Sequence, residues 1–344
     1  ALGESSLTSN TEGDRNVAIG QNALAVNTTG SENIAIGRGA LDANTTPNGN
    51  VAVGDNAGTS CTTGNRLVAV GYNAAAAYTT GGYTTAIGYN SLQRQTTGGS
   101  NTAVGTRSME DLTTGDVNTA IGEACMYNLT TGEYNSGVGQ CMTGLTTGNR
   151  NSAIGHNAGN DITSGQYNVV LGMSNSTSGN GSNQIVIGYG VTGSGNDNFT
   201  FGNGATDSNI AFGATSITAP SDIRLKEDIQ DEEVGLDFIN DLRPVTFLWK
   251  KEKDIPSHFD SYKEGSEERT MNGKHNHGFI AQEVKATIDA HNLKDGFEMW
   301  QENESDGRQR VAPAALMSVM VKAVQELSTQ VDELKQELLA LKGE

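Results

Sequence analysis

NVAIGQNALAVNTTGSE, residues 16–32, contains the unit whose repetition determines the fold of the long first part of the chain. It begins with Asn, continues with a tetrad of the form small-Ala-Ile/Val-Gly that ends at Gly20, and carries a Thr-Thr-Gly marker at 28–30. The next stretch, NIAIGRGALDANTTPNG at 33–49, repeats this order. Tetrads end at a constant interval from Gly20 to Gly139 and at nearly the same interval up to Gly188, and weaker copies follow at Gly202 and Gly213. The repeat unit is therefore ~17 residues long.

A repeat of this length predicts stacked β-coils. Each tetrad is a short strand whose alternate residues face one side, and the Gly after it permits a sharp turn. Asn and Thr-Thr-Gly supply turn conformations on the other side of the coil. A single repeat unit is too small to bury a face alone, whereas stacked units bury a continuous core. We therefore predict an all-β parallel β-roll or β-solenoid of ~17-residue coils over 1–215, a rod of roughly 60 Å.

The interior of each coil is expected to contain small residues, mainly Ala, Ile and Val, so that each coil is thin. Thin coils need neighbours, and three chains packed side by side are predicted. The repeats resemble the heads of trimeric autotransporter adhesins, whose NxAIGxxA units build left-handed parallel β-rolls. The resemblance covers 15–190, and this chain differs in its longer period and its inserted Thr-Thr-Gly markers.

Composition argues against several other classes of protein. The chain has 22 Lys and Arg against 40 Asp and Glu, a net charge of −18, whereas a nucleic-acid surface needs clustered basic residues. No apolar run approaches the length of a membrane span, so membrane insertion is not expected. The first residues, ALGESSLTSN, lack the basic and apolar regions of a signal peptide.

The three cysteines do not indicate a disulfide framework or a zinc site. Cys61, Cys125 and Cys141 form no CxxC pair, and we interpret them as small residues of the repeat core. Cys125 and Cys141 lie about one repeat apart, so they could be neighbours in space. No metal and no cofactor is predicted.

The rod itself is interpreted as structural, with adhesion left open as a further role. Its Thr-Thr-Gly markers are interpreted as turns rather than as an ice-binding ladder. A glycan-cleaving spike needs paired carboxylates in a cleft, but the acidic residues of the rod fall at irregular phases of the repeat.

TAPSDIRLKEDI, residues 218–229, marks a change of composition, because Lys226 is the first lysine of the chain. We predict a linker at 216–220 and an α+β domain over 221–344. Its expected elements are a helix at 234–242, a strand at 245–249, an exposed polar loop at 252–276 and a strand at 277–281 that leads into a second helix. A hairpin around Asp306-Gly307 and a long helix over 313–342, with Pro313 in its first turn, complete the domain.

The long helix has an apolar stripe. Its members are Leu316, Met320, Ala323, Leu327, Val331, Leu334, Leu338 and Leu341, a heptad pattern with one stutter. The stripe predicts a parallel trimeric coiled coil, and packing of the helix on its own domain remains the alternative. His275 and His277 form an HxH pair that could bind a metal on a three-fold axis, but most such pairs are not ligands.

Four segments in order resemble one known family. The four segments are SDIRLKEDI (221–229), LRPVTFLW (242–249), HGFIAQEV (277–284) and VAPAALMSVMVKAVQELSTQVDELK (311–335). They are similar to the endosialidase-type intramolecular chaperone domain. This is an auto-processing peptidase family found at the C-termini of phage tail spikes and fibres. The resemblance covers 221–344 and implies a domain that trimerises, guides the folding of the preceding β-rich fibre and then releases itself by cleavage.

The resemblance also implies site residues. Cleavage would fall between Pro220 and Ser221, with Ser221 as the nucleophile and Lys226 as the base. Further positions of the family motif are Asp222, Arg224, Asp228 and Gln282.

Physical reasoning supports part of this assignment. A serine can attack the carbonyl that precedes it and form an ester by an N→O acyl shift, which water then hydrolyses. A lysine serves as the base only where desolvation lowers its pKa. Residues five apart face opposite sides of a strand and lie about 140° apart on a helix. The segment must therefore bend, or the serine and the lysine must come from different chains.

The sequence thus predicts a segment of a phage or prophage tail fibre or spike, located in the virion and assembled in the host cytoplasm. It would be a homotrimer that cuts only itself, in a single turnover, and its shaft would attach to a host cell-surface receptor such as a glycan or an outer-membrane component. A bacterial surface adhesin with the same chaperone and a glycan-degrading spike are the alternatives. An adhesin would be expected to carry a signal peptide and a membrane anchor.

Overall fold

The computed structural model describes residues 1–204, 206–214, 216–218, 221–293, 297–303 and 306–342. The chain divides into two compact units, Ala1–Leu225 and Lys226–Glu344, and each is described by itself. Within the described part of the chain, no helix is both long and apolar enough to cross a bilayer.

The first unit is a β-solenoid with one 13-stranded sheet whose strands follow chain order. Strands β1 to β12 pair in parallel, each with its counterpart in the next coil, as in Ala18↔Ala35↔Ala52. The strands are β1 Val17–Ile19, β2 Ile34–Ile36, β3 Val51–Val53, β4 Val68–Val70, β5 Thr85–Ile87, β6 Thr102–Val104, β7 Thr119–Ile121, β8 Ser136–Val138, β9 Ser152–Ile154, β10 Val169–Met173, β11 Gln184–Tyr189, β12 Asn198–Asn203 and β13 Ser208–Ala211. The predicted solenoid is confirmed, and paired residues of successive coils are one sequence repeat apart.

The interior of the solenoid differs from the expectation in one respect. The middle residue of each short strand points inward, and in most coils it is a fully buried Ala such as Ala18 or Ala103. The Ile and Val residues on either side of it point outward, and Ile19 and Ile154 are 41% and 53% exposed. In β1 to β9 Ile and Val were therefore wrongly assigned to the interior, whereas Val170 and Val186 occupy it in β10 and β11. The other walls of the coil supply the large core residues, including Leu24, Leu92 and Met126.

A ladder of buried Asn side chains connects the coils. In most coils an Asn precedes the strand and donates from its amide to a backbone carbonyl near the end of the same coil, as Asn118 Nδ2 does to Gly132 O at 2.8 Å. Its Oδ1 accepts the backbone N–H of the Asn in the next coil, at 2.9 Å for Asn135 N. Buried amides are retained only where such bonds satisfy them. The buried members are Asn33, Asn50, Asn101, Asn118, Asn135, Asn151 and Asn168.

The stack of coils ends at β12. Strand β13 turns back and pairs with β12 in the antiparallel direction, with Phe199 opposite Ile210. The weak tetrad that ends at Gly213 is therefore a return strand and not a further coil. An isolated antiparallel bridge between Asn209 and Thr218 follows it.

The second unit is a small α/β structure that ends in a long helix. Its elements are α1 Leu236–Asp241, β14 Val245–Phe247, β15 Asn276–Gly278, α2 Ala281–Ala290, β16 Trp300–Glu302, β17 Gln309–Val311 and α3 Met317–Lys342, with a 3-10 turn at Pro313–Leu316 before α3. β14 pairs with β15 and β16 with β17, both antiparallel. Its core consists of the buried residues Phe238, Val284, Ile288, Met299, Leu316 and Val319.

Helix α3 packs on its own unit only near its start. Val319 and Ala323 are buried, whereas the apolar side chains of the later turns are exposed. Two members of the predicted stripe, Leu316 and Ala323, are buried, and the exposed stripe has Met317 and Val324 in their places. With Val324 the stripe repeats at 3-4-3-4-3-4-3 without a stutter, through Met317, Met320, Val324, Leu327, Val331, Leu334, Leu338 and Leu341. We call these eight residues the α3 stripe.

Candidate functional site

The predicted cleavage segment is an exposed stretch with one tight turn. Ser221 is exposed and precedes a 3-10 turn at Ile223–Leu225. Pro220, the other half of the predicted scissile bond, lies outside the described residues. The apolar side chains Ile223 and Leu225 are also exposed on the single chain, at 71% and 65%.

Asp222 organises this turn. Its Oδ1 accepts the backbone N–H of Arg224 at 2.9 Å, and its carbonyl accepts the N–H of Leu225 at 3.0 Å. Its carboxylate also accepts hydrogen bonds from the Arg224 guanidinium. The hydrogen bonds from the Arg224 guanidinium, followed by the bond from the Arg224 backbone, lower the pKa of Asp222. The bond to Asp222 in turn raises the pKa of Arg224. An Asp that bonds to a backbone two residues on is a common turn former. The structure thus joins Asp222 and Arg224 directly.

The other motif residues occupy distinct positions. Ser221 belongs to the first unit, whereas Lys226, Asp228 and Gln282 belong to the second. Lys226 is exposed, and Asp228 has a left-handed backbone with φ of 51° and accepts a hydrogen bond from Gln230 Nε2 at 3.0 Å. The roles predicted for these residues stay predictions.

Gln282 lies in the first turn of α2, at the edge of an open groove. The groove has a volume of about 1180 Å³, and Phe247, Trp249, Phe279 and Val311 give it a largely apolar surface. Glu283, the next residue, forms an ion pair with Arg243, and this pair lowers the pKa of Glu283. It ties α2 to the segment between α1 and β14.

His275 and His277 are both exposed, and His277 pairs with Thr246 across the β14–β15 sheet. Among the residues that the structure describes, no three His, Cys, Asp or Glu side chains form a group that could bind a metal ion.

Sequence reasoning missed two features of α3. Glu326 reaches the start of α1, where its Oε2 accepts the backbone N–H of Leu236 at 2.8 Å. A carboxylate is favourable at this position because the first N–H groups of a helix have no partner within it. No local pattern could reveal this contact, since the residues are 90 apart. Val324 could have been found, because strict 3-4 spacing selects it over Ala323.

Comparison with known proteins gives one match. Residues 221–293 match the sequence profile of the family described as chaperone of endosialidase. No curated protein and no solved structure matches the chain. The match begins at Ser221 and confirms the resemblance for this segment, which follows a β-solenoid as expected. The family implies a chaperone role with autoproteolytic peptidase activity.

Proposed function

We propose that the chain is part of a trimeric phage tail fibre or spike. In this proposal the segment from 221 onward trimerises, guides folding of the solenoid and then cuts itself off between Pro220 and Ser221. The mature shaft remains in the virion, after assembly in the host cytoplasm, and attaches to a glycan or an outer-membrane component of the host surface.

The position of the family match carries this proposal. The last β-contact of the solenoid involves Thr218, and the match begins three residues later at Ser221. A chaperone profile thus starts where a repetitive β-fibre ends. A cut at this place would separate the two functions without removing any strand of the solenoid.

The chemistry needs groups of this segment and one water molecule. Ser221 Oγ attacks the carbonyl carbon of Pro220 while Lys226 Nζ takes its proton. The C–N bond then breaks, the proton passes to the leaving Ser221 amine, and an ester joins Pro220 to the Ser221 oxygen. Water hydrolyses this ester and releases the two fragments. A serine activated by a lysine is an established form of nucleophilic catalysis.

Exposure on the single chain favours assembly before cleavage. Lys226 is exposed, whereas a lysine base requires a desolvated environment. Burial between chains would meet this requirement, and the exposed α3 stripe offers a surface on which chains can associate. The outward Ile and Val residues of the solenoid sheet, such as Ile36 and Ile121, offer a second such surface.

A denaturing gel combined with intact mass tests the proposal. Wild type should give fragments of 1–220 and 221–344, and Ser221→Ala should remain a single chain. Ser216→Ala, at an exposed serine of the same region, is the matched control and should be cut normally.

Lys226→Arg should also block cleavage, because arginine stays protonated and cannot accept the serine proton. Lys250→Arg is its control. Cleavage that persists in Ser221→Ala would refute the assignment of the nucleophile.

A further inference from the structure

Cys125 and Cys141 lie side by side in the core of the solenoid. They belong to adjacent coils, both are fully buried, and their Sγ atoms are 3.1 Å apart. This distance joins two thiols through one hydrogen bond. The structure thus places in contact the two cysteines that the repeat had suggested as neighbours.

The surrounding residues are arranged around both sulfur atoms. In the two preceding coils, Ser91 and Ser108 occupy the position of Cys125. Their hydroxyl groups donate to the backbone carbonyls of Ala103 and Ala120, both at 3.1 Å. Between the two cysteines, strand β8 has Gly137 where most coils have Ala. A Cβ at Gly137 would lie 2.7 Å from Sγ of Cys125 and 2.8 Å from Sγ of Cys141. The usual Ala therefore does not fit beside this pair.

The pair also lies where the period of the solenoid changes. The step from the tetrad at Gly122 to that at Gly139 has the usual length, whereas the step from Gly139 to Gly155 is shorter by one position. Gly139 has φ of 102°, against 139° at Gly122 and 132° at Gly155. The shorter coil thus begins with a changed backbone just before Cys141.

We propose that Cys125 and Cys141 form an oxidation-inducible disulfide that joins adjacent coils at this change of period. Neighbouring positions of two parallel coils have the Cα separation that a disulfide requires. The bond would close a loop between residues 16 apart, and such closure stabilises mainly by restricting the unfolded chain.

The oxidant in this proposal is hydrogen peroxide. Sγ of Cys125 attacks one peroxide oxygen, the O–O bond breaks, and a sulfenic acid and water form. Sγ of Cys141 then displaces the sulfenic oxygen as a second water, and the S–S bond forms. Two thiols are oxidised to one disulfide, and the peroxide is reduced to two waters.

The hydrogen bond between the thiols favours this order of events. It lowers the pKa of Cys125, whereas the same bond and burial raise the pKa of Cys141. Because the thiolate is the reactive form, Cys125 is the first nucleophile and Cys141 resolves the sulfenic acid. Cys61 is buried apart from this pair and donates to Gly64 O at 3.3 Å. Burial raises the pKa of Cys61 to about 12.

The test uses the full chain in two arms, folded protein treated with hydrogen peroxide and protein produced in an oxidising cytoplasm. After denaturation and alkylation, only Cys61 should react, and peptide mapping should show Cys125 joined to Cys141. The oxidised form should melt several degrees higher than the form reduced with dithiothreitol.

Cys125→Ser and Cys141→Ser should each abolish the bond and the rise in melting temperature, while Cys61→Ser should retain both. Ser is compatible with this position, as Ser91 and Ser108 show, so both variants are expected to fold. Any of three results would overturn the proposal. They are alkylation of all three cysteines in both arms, a disulfide that involves Cys61, and further oxidation of Cys125 without a disulfide.

Discussion

Gly88 illustrates how the glycine that ends a tetrad determines coil stacking. Its φ is +136°, a conformation that other residues rarely adopt, and a Cβ there would lie 2.4 Å from the carbonyl oxygen of Gly105 in the next coil. Both restrictions come from the backbone, so no rotation of a side chain can relieve them. We expect Gly88→Ala to lower the free energy of unfolding by at least about 3 kcal/mol.

Gly49→Ala is the matched control. Gly49 also has a positive φ, +71°, but a Cβ there would meet nothing within 4 Å. This substitution should lower the free energy of unfolding by only about 1 kcal/mol, because only the conformational preference of glycine is lost. Urea or thermal unfolding of both variants measures the difference. Equal losses of unfolding free energy in the two variants would show that close contact between coils is not what requires glycine at position 88.

The same residues show what the repeat pattern could predict. Glycine after a short strand indicated a tight turn, and the structure has one at each tetrad from Gly20 to Gly122. The direction of the side chains could not be predicted, because in a strand such as Val17-Ala18-Ile19 every residue is apolar and alternation alone does not say which faces inward. The ladder of buried Asn was missed for a related reason, since Asn before a strand is typical of an exposed turn.

The α3 stripe allows a direct test of association through this helix. Val331 lies on the stripe, well past Ala323, the last buried residue of α3. Val331→Glu would place three carboxylates at one level of a trimeric seam, and we expect the native mass to fall from trimer to monomer. The folded core of the unit should be unaffected, because Val331 does not belong to it.

Thr329→Glu adds the same charge two residues away, outside the stripe, and should leave the trimer intact. Sedimentation or light scattering of the full-length protein gives the mass. Loss of the trimer in both variants would indicate a general effect of charge, and loss in neither would remove the α3 stripe as the contact.

The connection between β14 and β15 was predicted as an exposed polar loop, yet ion pairs organise it. Lys251 and Arg269 form an antiparallel bridge, and Glu267 forms ion pairs with Lys251 and Lys253. These pairs lower the pKa of Glu267 to about 2, from 4.5 for a free carboxyl group. The ion pairs therefore contribute fully above pH 4.5, and their contribution is lost as the pH falls toward 2.

We expect amide signals of Lys251 and Arg269 in NMR spectra to shift between pH 4.5 and pH 2 in wild type. Glu267→Gln should remove this transition, and Glu264→Gln, at an exposed residue of the same connection, should retain it. A transition centred near 4.5 in wild type would show that the ion pairs do not form in solution.

Long elements with a strong period were predicted well, and contacts between distant residues were not. The start of α3 after Pro313 and the hairpin around Gly307 follow from local chemistry. The stutter was an error that strict 3-4 spacing could have avoided, and burial of Ala323 beside an exposed Val324 shows which of the two faces the core. The resemblance to the family could identify Ser221 and Lys226 as candidate catalytic residues. It could not predict how their side chains are placed relative to each other, because a spacing of five residues brings them together in neither a regular strand nor a regular helix.

The uniformity of the solenoid creates a problem that its C-terminal segment can solve. Its outward strand residues repeat with nearly the same chemistry, as Ile36, Ile87 and Ile121 show. Three such chains could therefore align with one of them displaced by a coil at little cost, because each displaced register offers similar contacts. A segment that associates first and has only one register would exclude these alternatives. Cleavage afterwards would make the aligned shaft hard to reverse, because the unfolded shaft would then lack its guide.

Deletion of 221–344 should therefore reduce the yield of shaft trimer that resists denaturant, whereas Ser221→Ala should form trimer in normal yield but stay uncut. The two variants separate guidance of folding from cleavage, since only the first removes the α3 stripe. Native mass and resistance to dodecyl sulfate at equal expression measure the yield. After dilution from denaturant, the uncut Ser221→Ala trimer should also recover better than the cleaved wild type, because each of its chains still carries the guide. Normal trimer yield from 1–220 alone would show that the shaft aligns itself and that the segment has another purpose.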